Sequence, residues 1–419
     1  MTEEFDYIIV GAGTAGCVLA NRLTEDGKYS VLLLEAGGSD RSIWIQMPIG
    51  YGRTFFDKRI NWMYDTAPVE ALGGRQSYWP RGKVVGGSGS INAMVYVRGQ
   101  PRDFDDWKAL GNAGWGWDDV LPYFKKSEDF DWHSAHHGQG GPQHVTDISP
   151  FAHPICRSFI EAAQTLGFAA SNDLNGGKPE GVGYYQINTR GGWRASTANA
   201  FLHPARKRKT LKLKTMAQAT RILFEGKRAV GVAYTCKGAQ LEAKARREVI
   251  LSGGAINSPQ LLMLSGIGDA SHLKNVGIEP IVDAKAVGRN LQDHIAVSYF
   301  YKVRTATLND VLHPVLGKIR AGLRYMADRE SFAIPFAACP MGFHFLGRKT
   351  RSPKHHCRNE SYSTLIHFRR FCCRIIPVVR PVGGILSSLA PTLPNIRSST
   401  RIISQRKPIL TMCWPVTDC

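Results

Sequence analysis

The stretch from Phe5 to Glu35 constrains this chain most. Phe5-Asp6-Tyr7-Ile8-Ile9-Val10 is a short apolar, β-branched run, which predicts a strand. Gly11-Ala12-Gly13-Thr14-Ala15-Gly16 follows at once, and Cys17-Val18-Leu19-Ala20-Asn21-Arg22-Leu23 continues with helical apolar spacing. A second apolar run, Ser30-Val31-Leu32-Leu33-Leu34, ends in Glu35. Strand, Gly-rich turn, helix, strand and acid, in that order, form the dinucleotide-binding fingerprint. Gly11 permits the tight turn, Gly13 lets a pyrophosphate approach the backbone, and Gly16 lets the helix lie close to the strand. The free amides at the helix start, around Thr14 and Ala15, face the phosphates with the positive end of the helix dipole. Glu35 is placed to accept hydrogen bonds from ribose hydroxyls, and its charge speaks against a 2′-phosphate and so against NADP. The fingerprint leaves FAD and NAD both open.

At 419 residues the chain has room for roughly two or three domains. Its hydrophobic fraction of 43% supports real cores. The acidic start leads directly into a strand, so no secretory signal is expected, and no apolar run is long enough to span a membrane. The cysteines are scattered without a Cys-x-x-Cys pair and fit a reducing compartment. The expected location is cytoplasmic, with membrane association left open. The net charge of +19 is unevenly spread: residues 348–419 hold thirteen Lys and Arg against two acids, Glu360 and Asp418. Two kinds of sequence therefore meet near Leu346.

From Ala36 to Trp79 the chain is rich in aromatics and Gly and reads as an irregular excursion over the nucleotide site. Next comes Arg81-Gly82-Lys83-Val84-Val85-Gly86-Gly87-Ser88-Gly89-Ser90-Ile91-Asn92-Ala93-Met94-Val95. So many glycines preclude a stable helix or strand interior and let the backbone come close to a flat or charged ligand. This stretch resembles the first signature of the glucose-methanol-choline (GMC) family of FAD-dependent oxidoreductases. The resemblance implies that the loop, with Gly87, runs under the flavin ring and its phosphates. It also implies that Val84, Asn92, Ala93, Met94 and Val95 contact FAD. Ile91 stands where some family members carry a tethering His, which implies non-covalent FAD.

Further segments resemble the family in the same order. Asp103 to Trp107 and Gly111 to Lys126 read structurally as an aromatic-capped helix pair. His133, His136 and His137 lie in a Gly/Ser/His-rich turn without an acidic or Cys partner at ligand spacing, so a solvated loop and no metal are expected. Apolar spacing predicts an amphipathic helix from Pro150 to about Gly167. Trp193 to Leu202 resembles the family segment that returns the chain to the FAD domain. Arg206-Lys207-Arg208-Lys209 lacks the aromatic neighbours of a nucleic-acid patch and reads as an exposed turn.

Short strands are predicted at Leu211–Thr215, Arg221–Phe224, Ala229–Thr235 and Arg247–Leu251, with a hairpin turn at Glu225-Gly226-Lys227. The resemblance places Ala219 at the adenine. Val249 to Gly268 matches the second GMC signature: strand, Gly turn, then a helix with Pro259 in its first turn and Gly266 after its end. Val287 to His294 matches the landmark that closes the FAD domain, with His294 read as structural. From Ile295 a strand near Val297–Val303 and a helix near Leu316–Ala327 look like the start of a substrate domain.

The expected fold is α/β: a Rossmann-like FAD-binding domain, parallel sheet with helices, at residues 1–149 and 193–294. An incomplete α+β substrate domain with antiparallel sheet is expected at 150–192 and 295–346. The family's C-terminal His in a Gly-Thr-Cys-rich segment, and the later His or Asn, have no match here; His355, His356 and His367 lie in other contexts. No catalytic residue is therefore assigned, and 347–419 reads as an aberrant basic tail from out-of-frame or other non-native sequence. A true basic interaction tail is the rival. The resemblance, closest to the choline and alcohol dehydrogenase branch, implies FAD-dependent oxidation of a primary alcohol to an aldehyde by hydride transfer to flavin N5. The alternative is an inactive fragment that only binds FAD. Partners implied are a small-molecule alcohol and an electron acceptor that the sequence leaves open, with no nucleic acid.

Overall fold

The apolar run at the start of the chain becomes the strand on which the molecule is built, β1 (Glu3–Val10). The computed structural model describes residues 2–176 and 181–293, parts of the stretch from 297 to 329, and two short strands at Met341–His344 and Arg370–Ile375. All of these fall in one unit, Met1–Leu386. Five further strands complete the main sheet: β2 (Val31–Leu34), β3 (Leu211–Lys214), β4 (Ala217–Glu225), β5 (Arg228–Cys236) and β6 (Ala239–Leu251). Their spatial order is β3-β2-β1-β6-β5-β4. The pairs from β3 to β6 are parallel, and β6, β5 and β4 form an antiparallel meander.

Alternation along the strands explains why the sheet is covered on both faces. Ile8, Val10, Leu32 and Leu34 pack on one side with Val232, Tyr234 and Leu261. Ile9, Val31 and Leu33 pack on the other with Cys17, Ala20, Leu202 and Leu211. A strand buried on both faces reads as an unbroken apolar run, as Val31–Leu34 does. Helix α1 (Thr14–Leu23) makes the crossover from β1 to β2.

Two predicted boundaries shift. β6 begins at Ala239, well before the predicted Arg247. Its first half alternates polar side chains with the small buried Ala243 and Ala245, a weak strand signal. Helix α5 (Gly254–Leu264) starts early enough to place Pro259 inside it rather than in its first turn. The Gly226 hairpin joins β4 to β5 with φ +60, as expected. The aromatic helix pair is present as α2 (Pro101–Ala109) and α3 (Trp117–Ser127), with Phe104 against Trp107, Trp117 and Phe124 at 5.5–5.7 Å. The amphipathic helix is α4 (Pro154–Thr165).

Arg206, Lys207 and Lys209 are exposed, but Arg208 donates to Asn21 O and Thr24 Oγ1 at the end of α1. Helix α6 spans Val315–Ala327, and Val297–Lys302 pairs antiparallel with Arg370–Ile375. That second strand belongs to the stretch set apart as aberrant by its composition. His294, His355, His356 and His367, and most of 347–419, lie outside the described residues. Among the described residues, no helix is long and apolar enough to cross a membrane.

Candidate functional site

The turn between β1 and α1 is fixed by close backbone approach. Gly11 has φ +100, and its N–H donates to Leu34 O at 2.8 Å. A Cβ on Gly11 would stand 2.6 Å from Ser252 O, and one on Gly16 would stand 2.0 Å from Gly11 O. Gly13 differs from both. A Cβ there would meet nothing nearer than Ser252 O at 3.8 Å and Gly87 Cα at 4.0 Å. A Cβ there would make only ordinary van der Waals contacts, so the packing of the fold does not itself demand a glycine at 13. The first intrahelical bond runs from Cys17 N–H to Gly13 O, so the amides of the preceding turn have no helical partner. Thr14 and Ala15 are exposed, and no acid occupies the first turn of α1. These features make an anion cradle.

Glu35 closes one side of the turn. It is buried, with Oε2 accepting from Ala12 N–H at 2.9 Å and Oε1 from Gly37 N–H at 2.8 Å. Burial pushes its carboxyl up to about 7, against the pull of those two amides and of Lys83. Each oxygen retains a second lone pair for a hydroxyl donor. Ala217 N–H donates to Glu35 O, which brings the start of β4 alongside. Ala219, two residues on, is half-buried opposite Tyr234 of β5.

The Gly-rich loop packs directly on this turn. Gly86 N–H donates to Ala12 O at 2.7 Å. A Cβ on Gly87 would stand 2.8 Å from Gly13 Cα, and one on Gly37 would stand 1.8 Å from Lys83 O. Gly11, Gly13, Gly16, Glu35 and Gly87 are thus brought together. Val84 is fully buried with Ile45 and Ile91, and Met94 packs with Ile148 and Ile187, so these two can meet a ligand only through backbone. Ile91, the position of the tethering His in some relatives, points into the core. Asn92 and Val95 are exposed and Ala93 is half-buried.

Two features escaped the sequence. Arg194 is 2% exposed; its Nε donates to Ile45 O at 2.7 Å, and its Nη1 donates to Gly89 O at 3.2 Å and Asn92 Oδ1 at 2.9 Å. Burial lowers its pKa to about 10. A lone Arg has no spacing that would announce such a role. The second feature corrects the solvated histidine loop. His137 is buried, with Nδ1 3.0 Å from Glu128 Oε2 and Nε2 3.0 Å from Asp173 Oδ2. Arg98 Nη2 donates to the same Glu128 oxygen at 2.6 Å. The partners come from 9 and 36 residues away from His137, beyond any local pattern. Among the described residues, no group of His, Cys, Asp or Glu could hold a metal ion.

The exposed first-turn amides of α1, the close approach of Gly87 to Gly13 and the buried Glu35 fit the pyrophosphate and ribose of a dinucleotide such as FAD. The profile of the GMC oxidoreductase family matches residues 5–296. The chain is 46% identical over 334 residues to the mitochondrial choline dehydrogenase of Homo sapiens, covering 77% of this chain and 56% of that protein. It is 43% identical over 345 residues to an alcohol dehydrogenase [acceptor] of Pseudomonas putida, covering 81% of this chain and 62% of that one. Among solved structures it resembles pyridoxine 4-oxidase from Mesorbium loti, with TM-score 0.69, 36% identity and coverage of 71% and 59%. The chain thus spans little more than half the length of these curated relatives. With the family profile matched over most of its length and the fingerprint, Gly loop and second signature assembled on one sheet, the chain belongs to the GMC oxidoreductase family.

Proposed function

We propose that this chain binds FAD non-covalently through its discontinuous domain at 1–149 and 193–294, and that its chemistry is oxidation of a primary alcohol to an aldehyde. The observation that carries the reading is the turn at the start of α1, where Gly87 packs on Gly13 beside first-turn amides without helical partners and the buried Glu35. In this reading the amides around Thr14 and Ala15 bind the pyrophosphate. Glu35 takes the ribose hydroxyls, Ala219 backs the adenine, and the backbone from Val84 to Gly87 and from Asn92 to Val95 lines the flavin. Bound FAD would accept a hydride from the carbinol carbon. The chain's own residues bind and orient; a base for the hydroxyl proton is worth roughly a hundred- to ten-thousand-fold in rate, and none is assigned. The alcohol class follows from the relatives' names, choline dehydrogenase and alcohol dehydrogenase [acceptor]. The electron acceptor is unspecified. A cytoplasmic location belongs to the same reading.

A second reading is an FAD-binding chain without turnover, because the family's late His segment has no match in this sequence. Anaerobic addition of choline and of simple primary alcohols to the FAD-loaded chain separates the two. Bleaching of the oxidised flavin's visible absorption supports oxidation. An unbleached flavin supports the second reading.

Glu35 gives the binding a pH signature. With its carboxyl near 7 in the ligand-free protein, hydroxyl donors favour the ionised form, so binding releases a proton. FAD affinity should rise as pH rises through about 7 and level off above it. Titration calorimetry at pH 7 in buffers of different ionisation enthalpy should show release of about half a proton per FAD. Proton uptake, or none, would contradict the role given to Glu35.

A further inference from the structure

A buried guanidinium without an anion calls for an explanation. Arg194 is 2% exposed and makes no salt bridge among the described residues. Its Nη2 is buried without a hydrogen-bond partner. A buried cation is costly unless paired, and Arg194 meets only neutral acceptors: Ile45 O, Gly89 O and Asn92 Oδ1. Those acceptors are informative. Asn92 Oδ1 takes a second bond from Met94 N–H at 3.0 Å. Both of its partners are obligate donors, so the amide has one orientation: oxygen towards Arg194 and Met94, NH₂ away from them. Asn92 is exposed, and its Nδ2 has no acceptor among the described hydrogen bonds.

We propose that Arg194 is a positioning residue that locks Asn92 as a hydrogen-bond donor towards an electron-rich acceptor on the flavin dinucleotide. This rests on the dinucleotide reading given above. A neutral acceptor opposite Arg194 then has a purpose. An aspartate at 92 would satisfy the guanidinium better, but it would have no N–H to offer the ligand. The unneutralised charge of Arg194 also polarises the Asn92 amide and strengthens its donor end. Burial of the guanidinium between Ile45 and the Gly89 carbonyl keeps this arrangement rigid before any ligand arrives.

The test is Asn92→Asp, read in two ways on the full chain. Without FAD, the new carboxylate pairs with Arg194 and the melting temperature should rise. With FAD, affinity measured by fluorescence titration should fall by at least about tenfold, with a shift in the visible band of the remaining bound flavin. Arg194→Met should also weaken FAD by about tenfold or more while lowering the melting temperature, so the two variants move stability in opposite directions and affinity together. Wild-type FAD affinity in Asn92→Asp would overturn the proposal alone. Failure of the unchanged chain to bind FAD would sink the dinucleotide reading and this inference with it. A merely structural Arg194 predicts wild-type FAD affinity in Arg194→Met at temperatures where that variant stays folded, since Asn92 is intact there.

Discussion

Replacing Gly16 by Ala is expected to cost about 3 kcal/mol or more of stability, the upper end of overpacking penalties. The Cβ would stand 2.0 Å from Gly11 O and 3.1 Å from its carbonyl carbon. Both are backbone atoms, and Gly11 is itself held by its bond to Leu34 O and its wall at Ser252. Relief requires α1 to lift from β1, which would open the cluster of Ile9, Cys17 and Ala20. Against a total of roughly 5–15 kcal/mol, such a loss unfolds a large share of molecules at moderate temperature. Gly13→Ala should behave oppositely. Its Cβ has 3.8 Å to the nearest protein atom, so the melting temperature should stay near that of the unchanged chain while FAD binding is lost. Thermal melts of both variants, with and without FAD, check the pair. A Gly13→Ala chain that keeps full FAD affinity would mean that the space at 13 is not where the pyrophosphate lies.

Glu128→Ala should be the other severe variant, costing about 3–5 kcal/mol, because it strands a buried guanidinium. The side chains of Arg98 and Glu128 are 2% and 0% exposed, and one Glu128 oxygen accepts from Arg98, His137 and Gly138 N–H. The cluster ties the segment after the Gly loop to the end of α3 and to the loop carrying Asp173. It also carries a pH signature. Burial pulls the His137 pKa down, but the hydrogen bonds to Asp173 and Glu128 outweigh it and hold the value above the usual one. A pKa raised in the folded state stabilises fully below the unfolded value of about 6.5 and loses that contribution as pH rises through the folded value. The unchanged chain should therefore melt at lower temperature as pH climbs out of the mildly acidic range. His137→Gln should flatten that slope. An unaltered slope in His137→Gln would remove His137 as its source.

The legible parts of this protein were those written in consecutive residues. The strand, turn, helix, strand and acid from Phe5 to Glu35 carry period-2 and period-3.6 signals and glycines with steric reasons, and β1, α1 and β2 follow them closely. The Gly226 hairpin and the aromatic pair of α2 and α3 were legible for the same reason. The first half of β6 was not, because Ala243 and Ala245 bury too little apolar surface to stand out among charged neighbours. Nor were the polar clusters. His137 finds acids at Glu128 and Asp173 only after the chain has folded back, and Arg194 finds Asn92 across 102 residues. Val84 and Met94 show a related limit: the family pattern places them at the flavin, but their side chains are buried. Only their backbone remains to serve the site.

The most direct test of the account is a titration of the purified full chain with FAD, followed by flavin fluorescence, with NAD and NADP as competitors. Saturable binding of one FAD per chain, released on denaturation as free flavin and undisturbed by excess NAD, is the result predicted. A chain that binds no FAD, or that exchanges it freely for NAD, would contradict the claim that this fold is a flavin dinucleotide site.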